Sequence, residues 1–240
     1  MLRERSIDPA DLYRLERRAF VALLRTLSPE ELTRTVPATP LWSVRDVLAH
    51  VVGITADLNA QRFGDGDADE WTATQVLSRR GASIDQLADE WEREGPTFES
   101  GLRIFGYDFG AHYLGDLLQH VLDVHAAIGR RPVLGDNLVV ASDFYLRCFD
   151  EALNERSVGV VIVDVGDEQI VLGSGSPTVT LRASRLELFR ALGGRRTHAE
   201  IAALEWSGND AEAVDLVNCY TEPDHPLGER STLDPDRPVR

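Results

Sequence analysis

The feature that most constrains this fold is an amphipathic helical segment over residues 116–129. Each helical residue turns the side-chain direction by about 100°, so Asp116, His120 and Asp123 share one narrow sector, with His112 at its edge. Leucines and valines fill the opposite side, and Gly129 provides a C-terminal stop signal. Metal-competent side chains therefore share one face of a helix whose other face is built for a hydrophobic core.

This polar sector has two interpretations. A surface helix commonly turns such a face to solvent, in which case its side chains have no common role. Alternatively, the sector faces another helix that supplies a further ligand. His50 is the candidate, because it lies at the edge of the apolar face of a second helix that Ser43 caps and that runs to about Phe63.

Composition limits the classes of function. The chain has 240 residues, 43% of them hydrophobic, which is enough for one large or two smaller cores. Its net charge of −15 disfavours binding to nucleic acid or to an anionic membrane. Every basic residue is arginine, so a Schiff-base lysine and a P-loop phosphate site are excluded.

The two cysteines and the start of the chain indicate a reducing compartment. Cys148 and Cys219 lie far apart in sequence without metal-ligand spacing, so we expect free thiols with no nucleophilic role rather than a disulfide. The first residues are charged, and no apolar run approaches the roughly 20 residues of a membrane span. We expect a cytoplasmic protein.

The pattern along the chain predicts an α+β protein. The first 130 or so residues contain four main helices at 3.6-residue periodicity, typical of a helical bundle, with a glycine-rich loop predicted over residues 101–110. A further helix follows, and β-branched runs at 158–165, 169–172 and 178–182 then predict an antiparallel meander. We therefore expect a bundle over 1–133, a small α/β domain over 134–225 and a mobile tail over 226–240.

Several segments together resemble the actinobacterial maleylpyruvate isomerase family, a branch of the DinB-like metal-binding bundles whose members are thought to use the thiol mycothiol. The segments that carry the resemblance are residues 41–53 (LWSVRDVLAHVVG), 69–73 with 75–76, 79–81, 120–129 (HVLDVHAAIG) and 186–196 (LELFRALGGRR). The resemblance implies a DinB-like four-helix bundle followed by a smaller α/β domain resembling sterol-carrier folds.

The resemblance also implies a divalent metal site, with zinc the expected ion. His50 and His120 match the family's metal histidines, and Asp116 stands where the better-studied isomerases have a glutamate. Aspartate is shorter by one methylene but remains an acceptable ligand. His125 stands where the family often has an arginine.

Three further residues are candidates for catalysis. Asp123 matches the family's aspartate after the second histidine, and could orient His120 through its ring nitrogen. Arg195 and Arg196 could hold a substrate carboxylate through the guanidinium fork. The alternative for these two arginines is a solvated charge pair beyond a helix end.

Three classes of function remain open at this stage. One is a metal-dependent isomerase or S-transferase that uses mycothiol on a small electrophilic or unsaturated acid. Another is a metal-dependent hydrolase or lyase that uses metal-bound water, and the third is a non-catalytic protein that binds a metal or small ligand. The expected partners are therefore a small-molecule substrate and a low-molecular-weight thiol.

Overall fold

The computed structural model describes residues 4–64, 66, 68–208 and 211–234. It confirms the α+β class, with a helical part followed by a small sheet. The helices and strands are, in chain order, α1 Pro9–Leu24, α2 Pro29–Leu32, β1 Thr35–Val36, β2 Thr39–Ser43, α3 Val44–Asn59, α4 Ala68–Ser78, α5 Ile84–Phe105, α6 Tyr107–Ile128, α7 Asp136–Arg156, β3 Val160–Asp164, β4 Gln169–Gly173, β5 Thr178–Arg182, α8 Arg185–Leu192, α9 His198–Ala202, β6 Glu205–Ser207, α10 Ala211–Val214 and α11 Arg230–Leu233.

The chain divides into two compact units. The helical unit contains residues 8–133 and the described residues from 229, and the sheet unit contains residues 4–7 and 134–228. Residues 4–7 group with the sheet unit because the Arg5 guanidinium lies 2.9 Å from the Asp143 carboxylate and 3.1 Å from that of Glu168.

The segment predicted as a mobile tail contains a helix, α11, that packs against α6. Its Leu233 is buried. Residues 235–240 of that predicted tail lie outside the described residues. Within the described part of the chain, no helix combines the length and apolarity needed to cross a membrane.

Helices α1, α3, α5 and α6 form the bundle around the buried Trp91. The Trp91 indole Nε1 donates to Thr55 Oγ1 at 3.0 Å, and the Tyr13 hydroxyl lies 3.0 Å from the same oxygen. The rings of Tyr13 and Phe20 meet Trp91 edge-on, with centroids 6.4 and 6.5 Å away. The polar atoms of these aromatic side chains therefore find partners inside an apolar core.

The glycine-rich loop predicted over residues 101–110 is wrong. Helix α5 continues to Phe105 and α6 begins at Tyr107, so only Gly106 interrupts the helical run. Its φ of +96° is one that other residues rarely adopt. Gly110 is helical, and a Cβ there would lie 2.8 Å from Pro9, so its small size serves helix packing. As a result α6 is one continuous helix long enough to carry His112, Asp116 and His120.

The predicted antiparallel meander is also wrong. The sheet order is β4-β3-β5-β6, and β3 pairs antiparallel with β4 but parallel with β5. Strand β4 ends beside the first residue of β3. Residues 174–177 then pass across that end of β3 to its other side, where β5 begins. Val160 N donates to Pro177 O at 2.8 Å, and a side chain on Gly159 would collide with the same carbonyl. The crossing therefore depends on a glycine that the β-branched pattern did not reveal.

One face of this sheet is buried, because buried and more exposed residues alternate along β3, β4 and β5. Helix α7 contacts β4 and packs against α8. The core residues of the sheet are Val161, Val163, Ile170, Leu172, Val179 and Leu181.

The buried Arg17 joins α1 to α5 and gives a test of the bundle. Its Nη2 lies 3.1 Å from the buried Glu99 carboxylate and its Nη1 2.6 Å from Glu92. Arg17→Met leaves Glu99 buried without its cation, which we expect to lower the free energy of unfolding by about 3–5 kcal/mol. Urea denaturation measures this loss. The double variant Arg17→Met with Glu99→Met removes both charges and should lose less; an equal or larger loss would contradict this account.

Candidate metal centre

Three side chains from two helices converge in the helical unit. Ser43 caps α3 through a capping box with Asp46, and His50 follows two turns later. Asp116 and His120 lie one turn apart on α6, with His120 Nε2 3.9 Å from Asp116 Oδ1. One ligand atom from each of His50, Asp116 and His120 lies within 4.8 Å of the others. The structure thus brings together all three of the metal ligands that the resemblance implied.

The polar sector of α6 does not face solvent. His50 is 3% exposed, His120 6% and Asp123 1%, so the interpretation as a solvated helix face is wrong. The Asp116 side chain is 31% exposed, which leaves the centre accessible on its side. Burying imidazole and carboxylate groups is costly unless they are paired or coordinate a metal. Their burial therefore indicates a built site.

The hydrogen bonds around the histidines fit a divalent ion. His50 Nδ1 lies 2.9 Å from Gln75 Oε1, so Nε2 is the nitrogen that would bind an ion. His120 Nδ1 is buried without a hydrogen bond and lies 3.5 Å from Asp123 Oδ2, too long for a good one. Two imidazoles and a carboxylate are a donor set that zinc accepts. Ligands about 2.0–2.2 Å from an ion stand at most about 4.4 Å apart, so a set spread over 4.8 Å must close by a few tenths of an ångström.

Trp42 forms one wall of the centre. Its ring centroid lies 4.7 Å from that of His50 and 6.3 Å from that of His120. The two imidazoles meet edge-on, with centroids 4.8 Å apart. Sequence alone does not single out Trp42 as a site residue, because tryptophan is usually a packing residue. Its position on β2 immediately before the α3 cap was the available signal.

His112 and His125 lie outside this group of three. Burial lowers the pKa of His112, with the nearby Asp116 carboxylate opposing that shift. His125 Nδ1 lies 3.0 Å from the backbone oxygen of Arg130, just beyond the end of α6, and burial likewise lowers its pKa. His125 therefore contacts the backbone at the helix end.

Arg195 and Arg196 belong to the sheet unit. The Arg196 guanidinium is buried and donates from Nε and Nη2 to the two carboxylate oxygens of Glu187, at 2.8 and 3.0 Å. The guanidinium of Arg196 therefore already binds a carboxylate of this protein in the bidentate manner. Arg195 is half-buried and donates from Nη1 to Gly193 O at 2.7 Å.

Cys148 and Cys219 are free thiols that contact each other, which their separation in sequence did not suggest. A hydrogen bond with the Cys219 thiol lowers the pKa of Cys148. The pKa of Cys219 is raised by the same contact and by burial. The thiolate therefore forms more readily on Cys148.

We expect iodoacetamide to label Cys148 faster than Cys219 at mildly alkaline pH, because alkylation requires the thiolate. Peptide mass spectrometry over a time course measures both rates. Cys219→Ala should slow the labelling of Cys148, since the thiol that stabilises its thiolate is gone. Faster labelling of Cys219 than of Cys148 would show that the hydrogen bond does not set thiol reactivity.

Comparison with known proteins finds a family model that is similar to part of the chain. Residues 13–106, from α1 to α5, match the family model described as the mycothiol maleylpyruvate isomerase N-terminal domain. The match confirms the resemblance seen in the sequence, and it includes His50, Trp42 and Gln75. Asp116 and His120 lie beyond it, so their part in the centre comes from the geometry of α6.

A solved structure shows the same fold. A crystal structure of the mycothiol-dependent maleylpyruvate isomerase is 14% identical, with a TM-score of 0.50, and the match covers 83% of this chain and 91% of that one. A mutant of that enzyme is 13% identical with the same coverage and a TM-score of 0.48. No curated protein matches the chain at a significant level.

Proposed function

We propose that this chain is a metal-dependent enzyme of the maleylpyruvate isomerase type that uses a low-molecular-weight thiol, mycothiol, as co-substrate. The observation that carries the proposal is the buried convergence of His50, Asp116 and His120, with one ligand atom from each within 4.8 Å of the others. The N-terminal domain family supports the choice of thiol.

Each side chain of the centre has a distinct part. His50, His120 and Asp116 hold a divalent ion, which when bound acidifies a thiol or water and polarises a carbonyl. Asp123 is a positioning residue: its carboxylate lies 3.5 Å from His120 Nδ1, and a small approach of the two groups would form the hydrogen bond that holds the ring in the tautomer presenting Nε2. Trp42 limits access of water from the side of the two rings.

The proposed substrate is a small electrophilic or unsaturated acid. The thiolate adds to its electrophilic carbon: a carbon–sulfur bond forms, the carbon–carbon π bond breaks and its electron pair moves onto the conjugated carbonyl. In an isomerase the former double bond, now single, rotates, the carbon–sulfur bond breaks and the thiolate leaves as the double bond reforms. In an S-transferase the neighbouring carbon takes a proton instead and the sulfur stays on the product. Arg195 and Arg196 are the candidates that the resemblance offers for the substrate carboxylate, and the fork of Arg196 would have to leave Glu187 to bind it. Asp116 and His125 differ from the residues common in the family, so the substrate is proposed only as a class.

Elemental analysis combined with a mycothiol titration tests this proposal. We expect the purified chain to hold a stoichiometric divalent metal and to bind mycothiol only when metal-loaded. Metal binding without thiol binding would overturn the thiol dependence and favour a hydrolase or lyase that uses metal-bound water. Absence of metal binding would overturn the proposal as a whole.

Substitution of His120 tests the ligand set. We expect His120→Ala to lose the metal while keeping its helical content, because leucines and valines on the opposite face of α6 hold the bundle. The loss of metal linkage lowers stability by about 2.7 kcal/mol at about a hundredfold excess of free metal over its Kd. Bound metal, circular dichroism and melting with and without chelator measure these effects.

His112→Ala is the matched control for His120→Ala. It removes a partly buried histidine from the same helix, but one outside the group of three. We expect it to retain stoichiometric metal. Retention of metal by His120→Ala, or equal loss in both variants, would contradict the assignment of His120 as a ligand.

A further inference from the structure

Gln75 on α4 lies between a candidate metal ligand and a carboxylate. It is 1% exposed. Its amide oxygen Oε1 lies 2.9 Å from His50 Nδ1, and its amide nitrogen Nε2 donates to Asp57 Oδ2 at 3.1 Å. A continuous hydrogen-bonded chain therefore runs from Asp57 through Gln75 to His50.

Asp57, at the outer end of these hydrogen bonds, determines which groups donate and which accept. A carboxylate oxygen accepts hydrogen bonds, and an indole N–H only donates them. Asp57 Oδ2 also accepts from Trp71 Nε1 at 3.1 Å, while Oδ1 accepts from both Nε and Nη2 of Arg62, at 3.1 and 2.8 Å. Asp57 is thus an acceptor toward all these partners, so the NH2 group of Gln75 must face it.

The orientation of the amide then determines the tautomer of His50. With its NH2 group on Asp57, Gln75 presents its carbonyl oxygen to His50 Nδ1, which must carry the hydrogen. In the neutral imidazole the other nitrogen, Nε2, then holds the lone pair. That lone pair is the one a metal ion requires.

Gly53 on α3 leaves room for Gln75, because any side chain at position 53 would collide with it. A Cβ placed on Gly53, one turn after His50 on α3, would lie 2.5 Å from Gln75 Cβ and 2.8 Å from its Cγ. Only glycine allows α4 to approach α3 so closely at this point. The contact is therefore a second, independent feature that holds the Gln75 amide against His50.

We propose that Gln75 is a positioning residue that holds His50 in its Nδ1–H tautomer and transmits the negative charge of Asp57 to this metal ligand. The metal part of this inference rests on the proposed function, whereas the tautomer part concerns the protein alone. Hydrogen bonds to the outer nitrogen of a metal-binding histidine fix the ring and raise its basicity as a ligand. Gln75 and Asp57 together supply both effects to His50.

The tautomer is tested on the metal-free protein by long-range 1H–15N NMR of the imidazoles. We expect the Nδ1–H form for His50 in the wild type at about pH 8.5, two units above the ordinary histidine pKa. Gln75→Leu should shift His50 toward the Nε2–H form, because the acceptor is gone. A wild-type His50 in the Nε2–H form, or a tautomer unchanged in Gln75→Leu, would overturn the proposal.

Metal affinity gives the second measurement, by competition of Zn²⁺ with a chromophoric chelator. We expect Gln75→Leu to bind Zn²⁺ about 10–100-fold more weakly. Thr55→Val is the matched control, because it removes buried hydrogen bonds to Tyr13 and Trp91 from the same helix α3 without touching the centre. It should leave the Zn²⁺ affinity unchanged. An equal loss of affinity in both variants would show a structural effect only.

Two further variants keep the test decisive if Gln75→Leu folds poorly. Gly53→Ala displaces Gln75 without removing it, so it should weaken Zn²⁺ binding in the same way. The double variant Gln75→Glu with Asp57→Asn exchanges carboxylate and amide but keeps an acceptor on His50, and should retain the Nδ1–H tautomer. Loss of that tautomer in a folded double variant would count against the proposal.

Different results would contradict the role of Gln75 and the proposed metal-dependent function. If the wild type binds no Zn²⁺ but its His50 shows the expected tautomer and responds to Gln75→Leu, the positioning role stands and the metal enzyme does not. If Zn²⁺ binds and neither tautomer nor affinity responds, the metal centre stands and the role of Gln75 is wrong.

Discussion

The constraint on which the site depends is the removal of imidazole and carboxylate groups from water between α3 and α6. Burial of such groups is costly unless they are hydrogen-bonded, paired with a charge or bound to a metal. His50 therefore has Gln75, and His120 has Asp116 and Asp123 on its two sides. The apolar packing around Trp91 supplies the rigid bundle in which these pairs are held.

Helical periodicity was enough to predict much of this arrangement. The sector shared by Asp116, His120 and Asp123 follows from 100° per residue, and the structure places all three on one continuous helix. The edge position of His50 on α3 made it a candidate, but only the resemblance assigned it as a ligand, because that position is equally typical of a structural histidine. Its burial and its approach to His120 required the packing of two helices far apart in sequence.

The incorrect sequence predictions also concern packing and long-range contacts that local residue type does not encode. Gly101 and Gly110 indicated a loop by residue type, yet only Gly106 has the positive φ that needs glycine, and Gly110 serves close packing instead. The parallel pairing of β3 with β5 depends on a crossing at Gly159, a long-range contact that local propensity does not encode. Trp42 and Gln75 were missed as site residues because tryptophan and glutamine are common in ordinary packing and on ordinary surfaces.

The two candidate imidazole ligands lie in unequal surroundings. His120 has carboxylates near both nitrogens, at 3.9 Å from Asp116 and 3.5 Å from Asp123. His50 meets a neutral amide, and the charge behind that amide, on Asp57, is shared with Arg62. A divalent cation would bring two positive charges to a site where two carboxylates flank one imidazole. In the proposed centre Asp116 and Asp123 would therefore balance the charge of the ion, and His50 would be the neutral ligand whose tautomer the hydrogen-bonded Gln75 amide holds.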